Sequence, residues 1–392
     1  MTFPGKFAAL LVGYAVLAAC SGSHTAVPLS EPAVERAPLG VNGSAVDNAE
    51  VPGIDNTSIL KKLKKDIIIG STVDPTNGDK GPRGISVAAL SYGGLRKGQV
   101  LVCNFENSSG EAGKGTTIEK LDPKPGSKPT TFVQSTQIEG CSDVSISPAS
   151  DDVYASGSLS HQVVQFTQDG KLGDTWGKPL VVPFSLTDAA CTGHASFCGY
   201  SAEYIFASDS KTGGIVSFSV NYYGNPKPLE VIAGFAVNKE SGWAALGPSG
   251  VAFRSKNKGT LYVADGVDNT IVSFNNATEL LVPDEIVVQK GGKTFKCKYP
   301  KTTCGTLIYS GSPLNGPVAM TLLPNGNIIA ANTLGGNMLV ELTPTGKVLA
   351  TKVVDSSKVA GVYGIRAIGT NDNNTALYYT DTNDNSLHKL EQ

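Results

Sequence analysis

The strongest constraint on the fold is a phrase of three short strands between Leu246 and Asn275. A Gly-Pro opening leads into an apolar strand, and a polar turn leads into Leu261-Tyr-Val-Ala-Asp265. A second polar turn leads into Ile271-Val-Ser-Phe274. Short strands separated by Gly, Asn and Asp predict an antiparallel meander. Because a single meander cannot bury both of its faces, further copies must pack against it.

The opening of this phrase recurs along the chain as a glycine, two variable residues, a small or polar residue and an apolar one. It occurs at residues 81–85, 140–144, 193–197, 247–251, 316–320 and 361–365. Matching middle strands occur at residues 100–104, 152–157, 204–209, 261–265, 327–332 and 376–381. Six repeats of three or four short strands predict an all-β fold, a six-bladed β-propeller, in which radial packing leaves only short edges.

The two ends of the repeat region predict how the propeller closes. The last repeat stops at Leu390 after its third strand, and a strand-like segment, Asp66–Gly70, precedes the first repeat. We expect this N-terminal strand to complete the sixth blade. The long fourth repeat contains an extra hairpin around Cys297 and Cys304, which we expect to decorate the rim.

The N-terminus has the pattern of an export signal. Lys6 precedes an apolar run from Phe7 to Ala19, which is too short to span a bilayer, and Cys20 follows. The sequence Leu-Ala-Ala-Cys20 resembles a bacterial lipobox, which implies lipidation of Cys20 and anchoring to a bacterial membrane, in the periplasm or at the cell surface. A plain signal peptide or an uncleaved anchor is the alternative.

The resulting organisation has three parts. Residues 1–19 are expected to form a lipoprotein signal peptide and residues 20–56, rich in Ser, Pro, Ala and Gly, a flexible tether. Residues 57–392 are expected to form the propeller, beginning with one or two helical turns over residues 57–65.

The cysteines other than Cys20 are six in number, and an even number in an exported chain predicts disulfides. Cys297 and Cys304 flank a turn-like segment, which makes them the first expected pair. Cys191–Cys198 is the second expected pair, and Cys103–Cys141 follows by elimination.

Composition and motifs disfavour several classes of function. The net charge of −2, from 32 basic and 34 acidic residues, argues against a nucleic-acid partner. Four histidines are too few for a multi-histidine metal site. The sequence also lacks a Gly-x-Ser-x-Gly elbow, a P-loop and an HExxH motif.

The repeat resembles a known family. The succession of Gly-Pro-x-Gly-Val, Leu-Tyr-Val-Ala-Asp and Asp-Asn-Thr-Ile-Val is similar to the NHL repeat, over residues 66–392 and most clearly at 246–275, 314–343 and 361–390. Residues 98–121 are similar to the first blade of bacterial exported propeller proteins of unassigned function. The resemblance implies a six-bladed propeller and carries little information about activity.

Candidate site residues lie in or next to the opening phrase, where they depart from the repeat. Because the inner strands of a propeller begin near its central channel, we expect these residues to face one channel mouth. They are Arg83, Glu139, Asp143, His194, Asn315, Tyr363 and Arg366. Basic, acidic and aromatic groups around a cavity suit a small-molecule site, although a water-filled polar channel is the alternative. The leading hypothesis is a binding or scaffold module for a protein or a small ligand.

A second resemblance gives an alternative function. Glu139-Gly140 and Asn315-Gly316 are similar to segments of gluconolactonase-like six-bladed hydrolases. This resemblance implies a divalent cation such as Ca²⁺ on Glu139, Asp143 and Asn315, and a metal-dependent lactonase-like hydrolase. The Asn-Asp-Gly and Pro-Asp-Gly segments of that family do not occur in this sequence.

Overall fold

The computed structural model describes residues 55–190, 201–221, 227–238 and 246–392. The expected signal peptide, Cys20 with its expected lipid and most of the expected tether lie outside these ranges, as do His194 and the expected Cys191–Cys198 pair. Within them, no helix has the length and hydropathy needed to cross a bilayer.

The described residues form six sheets that follow one another along the chain. The first strand, β1 (Lys65–Ser71), precedes blade 1. Blade 1 contains β2 (Lys80–Val87), β3 (Val100–Glu106), β4 (Thr117–Leu121) and β5 (Thr130–Gln134). Blade 2 contains β6 (Cys141–Ile146), β7 (Val153–Gly157), β8 (Gln162–Phe166) and β9 (Leu172–Trp176). Blade 3 begins with β10 (Pro183–Ala190), β11 (Ser201–Asp209), β12 (Gly214–Asn221) and β13 (Leu229–Ala233).

The second half of the chain continues the pattern. Blade 4 contains β14 (Pro248–Arg254), β15 (Thr260–Asp265), β16 (Thr270–Asn275) and β19 (Gly305–Ser310), with β17 (Ile286–Val288) and β18 (Phe295–Cys297) inserted before its last strand. Blade 5 contains β20 (Pro317–Leu322), β21 (Ile328–Asn332), β22 (Met338–Leu342) and β23 (Val348–Val353). Blade 6 contains β24 (Val362–Ile368), β25 (Ala376–Asp381) and β26 (Ser386–Glu391). The predicted six-bladed β-propeller is therefore confirmed.

The sixth blade closes with the N-terminal strand, as the sequence predicts. Strand β1 pairs antiparallel with β26, from Lys65 opposite Glu391 to Ser71 opposite Ser386. The Asp66 carboxylate accepts a hydrogen bond from Tyr379 Oη at 2.6 Å and lies 3.3 Å from His388 Nδ1. The first and last strands of the propeller are thus joined by backbone pairing and by side chains.

The segment before β1 also belongs to the folded core. One helical turn is closed by a hydrogen bond from Leu63 N to Ile59 O, and Ile59, Leu60 and Leu63 are buried among residues of blades 5 and 6. The buried Glu341 carboxylate accepts bonds from Ser58 Oγ at 2.6 Å and from the backbone nitrogens of the two residues that follow it. The predicted helical lead-in therefore packs onto blade 5.

The position predicted for the third opening phrase, residues 193–197, is wrong. The inner strand of blade 3 is β10, which pairs Pro183 with Asp209 as β14 pairs Pro248 with Asp265. Val182 stands where the other copies have a glycine, so the glycine-based pattern passed over the true strand. His194 consequently lies nine residues beyond Ser185, which is the blade 3 counterpart of Asp143.

The inserted hairpin lies within the fourth repeat but extends the third blade. Strand β17 pairs parallel with β13, which gives the blade 3 sheet the order β10-β11-β12-β13-β17-β18. A disulfide joins Cys297 to Cys304 across the turn that returns to β19. The predicted disulfide is confirmed, and the insertion ties two neighbouring blades together.

Residues between adjacent sheets form the core. A second predicted disulfide, Cys103–Cys141, is confirmed and joins β3 of blade 1 to β6 of blade 2 with a Cα–Cα distance of 5.3 Å. Between blades 2 and 3, Trp176 stacks on Phe218 with ring centroids 4.8 Å apart. These contacts join blade 1 to blade 2 and blade 2 to blade 3.

Candidate functional site

The inner strands of the six blades surround a cavity of about 350 Å³ on the propeller axis, which we call the channel. Its wall comes from β2, β6, β10, β14, β20 and β24, and neighbouring inner strands touch around the whole ring. Much of the wall is apolar, including Leu186, Val251 and Met320. A cavity of this size lies at the small end of the range of about 300–1,000 Å³ that is typical of ligand pockets.

One layer of the wall, which we call the small-residue layer, consists of the fourth residue of each opening phrase. Strand registers align the six members, which are Gly84, Asp143, Ser185, Gly250, Ala319 and Gly364. Neighbouring backbones approach so closely here that a Cβ on Gly84 would lie 2.2 Å from the Cα of Asp143. A Cβ on Gly364 would lie 1.9 Å from the carbonyl oxygen of Arg83. Asp143 is therefore the one large charged side chain in a layer that otherwise requires small residues.

The Asp143 side chain crosses from blade 2 to blade 3. Its Oδ2 accepts hydrogen bonds from Ser185 Oγ at 2.9 Å and from Leu186 N at 2.8 Å, and its Oδ1 accepts one from Val144 N at 2.8 Å. Burial raises the pKa of Asp143 to about 6, although these hydrogen bonds and the charge of Arg366 act in the opposite direction. At neutral pH the carboxyl group is mostly ionised and lies at the channel wall.

The next layer, two residues further along each inner strand, contains Arg366. Its six members are Ser86, Ser145, Thr187, Ala252, Thr321 and Arg366. Two of the short side chains join neighbouring blades: Ser86 Oγ accepts from Ile146 N at 3.0 Å, and Thr321 Oγ1 accepts from Ala367 N at 3.1 Å. Arg366 thus introduces a guanidinium into a layer that is otherwise small and uncharged.

The guanidinium of Arg366 has no ion-pair partner in the part of the chain that the structure describes. It lies close enough to Asp143 to lower the pKa of that carboxyl, yet the two groups form no ion pair within 4.0 Å. Among the residues that the structure describes, none accepts a hydrogen bond from this side chain. Because Arg366 lines the channel, its five N–H donors are available to a ligand there.

Tyr363 lies in the wall beside these charges, and Arg83 lies behind it. Tyr363 lines the channel, and the Arg83 guanidinium carbon lies 4.3 Å from the Tyr363 ring centroid and 3.5 Å from that of Phe105. Burial lowers the pKa of Arg83, while Tyr363 and Glu106 act in the opposite direction. Arg83 is buried behind the wall, where it positions the tyrosine by cation–π contact.

Glu139 and Asn315 lie outside the channel wall. Glu139 forms an ion pair with Lys114 at 2.9 Å, and the backbone nitrogen of Asn315 donates to Asn332 Oδ1 at 3.1 Å with its side chain exposed. Of the three predicted cation ligands, the channel wall therefore contains Asp143. The structure brings Asp143, Tyr363 and Arg366 together at the channel, with Arg83 behind them, and the Ca²⁺ site stays a prediction.

Some channel residues were missed by the sequence patterns. Ser185 escaped notice because the third opening phrase was placed too late in the chain. Lys97 and Asp188 line the far end of the channel, where the inner strands finish. A search of the turns that follow each inner strand would have found Lys97.

One side-chain cluster of the described residues has metal-like spacing but a structural explanation. Ligand atoms of Asp381, Asp384 and His388 lie within 4.8 Å of one another. Both ring nitrogens of His388 are engaged, Nδ1 with Asp66 at 3.3 Å and Nε2 with Asp384 at 2.9 Å. This cluster ties β1 to blade 6.

Comparisons with known proteins give similarities to solved structures. No protein-family model and no curated protein matches the chain. A catalytically inactive virginiamycin B lyase from Staphylococcus aureus, solved with quinupristin, is 15% identical over 84% of this chain and 85% of that chain, with a TM-score of 0.47. The nidogen/laminin complex is 13% identical over 74% and 85%, with a TM-score of 0.49. A streptogramin B lyase is 14% identical over 83% and 96%, with a TM-score of 0.44.

The class of the protein follows from its own strand order. Six sequential sheets, closed by an N-terminal strand around an axial cavity, define a six-bladed β-propeller. Its channel is the candidate functional site.

Proposed function

We propose that this chain is a ligand-binding propeller that takes a small polar molecule into its central channel. The observation that carries the proposal is the guanidinium of Arg366, which has no hydrogen-bond or ion-pair partner among the described residues and lines a cavity of about 350 Å³. A charged group held near an apolar wall loses hydration, and this cost is offset when a ligand supplies hydrogen-bond acceptors. The planar fork of an arginine suits a carboxylate or a phosphate.

The small-molecule hypothesis is favoured over a protein partner by the position of Arg366. Arg366 and Tyr363 both lie in the inner strand β24 and line the axial cavity. A protein partner can contact them only where a segment of it enters the channel. A small molecule can enter the channel and contact Arg366 and Tyr363 together.

The test is ligand binding by the purified chain and two arginine variants. We expect at least one member of a panel of small carboxylates, phosphates, zwitterions and neutral polyols to raise the melting temperature, because binding to the native state alone stabilises it. Arg366→Met should abolish the shift. Arg96→Met, which removes an exposed arginine outside the channel wall, should retain it. No shift with any compound, or an undiminished shift in Arg366→Met, would overturn the proposal.

The same preparation tests the metal-dependent hydrolase. The bound metal content and the melting temperature before and after chelation are measured on the protein used for the ligand panel. A bound divalent ion, a lower melting temperature after chelation and recovery with Ca²⁺ would support the lactonase-like alternative at Glu139, Asp143 and Asn315. Turnover of a lactone that disappears in Asp143→Asn would establish it.

We also propose that lipidation of Cys20 holds the propeller at a bacterial membrane in the cell envelope. The lipobox-like Leu-Ala-Ala-Cys20 and the composition of residues 20–56 support this proposal. Expressed in a bacterium, the wild-type chain should fractionate with membranes and incorporate labelled palmitate. Cys20→Ser should do neither; membrane retention of that variant would contradict the anchor.

A further inference from the structure

Two opposite charges lie on adjacent layers of the channel, where the other blades have small or uncharged residues. Asp143 is in the small-residue layer and Arg366 is in the layer below it. Blade 1, with Gly84 and Ser86 at these levels, lies between them. The charges are near enough to interact but not paired, so the channel holds separate acidic and basic groups.

The Asp143 carboxylate lines the channel and retains hydrogen-bonding capacity. Ser185 Oγ and Leu186 N occupy its Oδ2, whereas Val144 N is the donor to its Oδ1. A carboxylate has about four acceptor sites, so these three donors leave capacity for one more. Arg366, whose donors find no acceptor among the residues that the structure describes, is the complementary group.

The charge pattern discriminates between classes of ligand. A simple anion on Arg366 would be repelled by Asp143, and a simple cation on Asp143 would be repelled by Arg366. A neutral polyol would leave both charges without a counter-ion. A zwitterion satisfies both groups at once.

We propose that the channel ligand is a zwitterion of the amino-acid class, with its carboxylate on Arg366 and its ammonium group on Asp143. This inference rests on the proposed function of the channel. The rest of the ligand lies against the apolar wall formed by Leu186, Val251 and Met320. The cavity volume suits a single amino acid or a compound of similar size.

The experiment is a calorimetric titration of the purified chain with each of the twenty free amino acids. The best binder is then compared with two matched analogues, one lacking the amino group and one lacking the carboxylate. We expect each analogue to bind roughly 10- to 100-fold more weakly, as expected for loss of one charged hydrogen bond. Arg366→Met should equalise the parent and the decarboxylated amine, and Asp143→Asn should equalise the parent and the deaminated acid.

The outcomes separate this inference from the proposed function. If no amino acid binds but a member of the broader panel does, in a manner that depends on Arg366, the zwitterion is wrong and the ligand-binding channel stands. Equal affinity of the parent and the deaminated acid in the wild type likewise overturns the zwitterion. If nothing binds, both fail. Because Asp143 also bridges two blades, thermal melts of the unliganded Asp143→Asn protein are needed to show that it folds. Arg366→Met tests the zwitterion independently of Asp143, through the loss of discrimination against the decarboxylated amine.

Discussion

Gly84 of blade 1 packs directly against the backbone of Asp143 of blade 2. A Cβ on Gly84 would lie 2.2 Å from the Cα of Asp143 and 2.5 Å from its Oδ1. The absence of a side chain at residue 84 lets the two inner strands approach and leaves the Asp143 carboxylate room to reach Ser185. The glycine of blade 1 is therefore part of the arrangement that holds the acidic group of the channel.

Gly84→Ala should destabilise the propeller because the new methyl group has no space between the inner strands. Overpacking of this kind costs about 1–3 kcal/mol of unfolding free energy. Gly177→Ala is the matched control, since the nearest atom would lie 3.8 Å from its Cβ. Chemical denaturation measures both. A Gly84→Ala protein as stable as the control would contradict the close packing of blades 1 and 2.

The repeat was predictable from sequence because each blade repeats the same alternation of strands and turns. The exception is blade 3. Its opening phrase starts with Val182-Pro183 and has no glycine, so the glycine-based pattern matches residues 193–197 instead. The sequence also does not predict which blade the inserted hairpin joins. Chain order places the hairpin in the fourth repeat, but the pairing of β17 with β13 depends on tertiary packing.

The candidate site was predictable only in part. Asp143 and Arg366 were found because they depart from the repeat at positions inside an inner strand. Glu139 and Asn315 precede the strands, and their side chains lie outside the channel wall. A position next to the opening phrase is therefore a weaker predictor of a channel residue than a position within the inner strand. The alternation of side chains along that strand sets the layer of each residue.

Asp66→Asn should weaken the closure of blade 6 in a pH-dependent manner. Burial alone would raise the pKa of Asp66, but hydrogen bonds and charge from His388, with the Tyr379 hydroxyl, lower it below 3.8. Burial alone would lower the pKa of His388, but Asp66 and Asp384 raise it above 6.5. The ion pair therefore exists above the titration of Asp66 and below that of His388.

The expected loss in Asp66→Asn is roughly 1 kcal/mol, since the carboxylate is partly exposed to solvent. The loss should be largest between about pH 4 and 6.5, where Asp66 is ionised and His388 is protonated even in the unfolded chain. It should shrink as falling pH protonates Asp66 and as rising pH deprotonates His388. Unfolding free energies from pH 3 to 9 measure it. A constant difference across this range would contradict the ion pair.

Glu341→Gln should release the N-terminal segment from blade 5. The buried Glu341 carboxylate accepts bonds from Ser58 Oγ, Ile59 N, Leu60 N and Asn327 Nδ2. A glutamine directs an amide N–H toward some of these donors and leaves them unsatisfied, at a cost of roughly 2–4 kcal/mol. Glu279→Gln, at an exposed pair with Lys258, should cost less than about 1 kcal/mol. Similar melting temperatures for Glu341→Gln and Glu279→Gln would show that Glu341 does not hold the N-terminal segment on blade 5.

Glu119→Gln should make the protein less sensitive to alkaline pH. Burial and, next to it, the neighbouring Asp74 carboxylate raise the pKa of Glu119 to about 9. Asp74 itself accepts a hydrogen bond from Thr131 Oγ1 at 2.5 Å, and other bonds hold its pKa below the ordinary value despite burial. Two carboxyl groups can share a hydrogen bond when one is protonated, so Glu119 is the neutral partner at pH 7.

A glutamine reproduces this neutral donor without a proton to lose. Because the folded pKa of Glu119 exceeds its unfolded value of 4.5, the wild type loses stability as pH rises toward 9. Relative to wild type, Glu119→Gln should gain up to about 1.4 kcal/mol per pH unit between pH 5 and 8. Glu111→Gln, in an exposed turn, controls for the removal of one negative charge. Urea denaturation at each pH measures the difference in unfolding free energy. If this difference between Glu119→Gln and wild type stays constant with pH, Glu119 is not a neutral carboxyl group at pH 7.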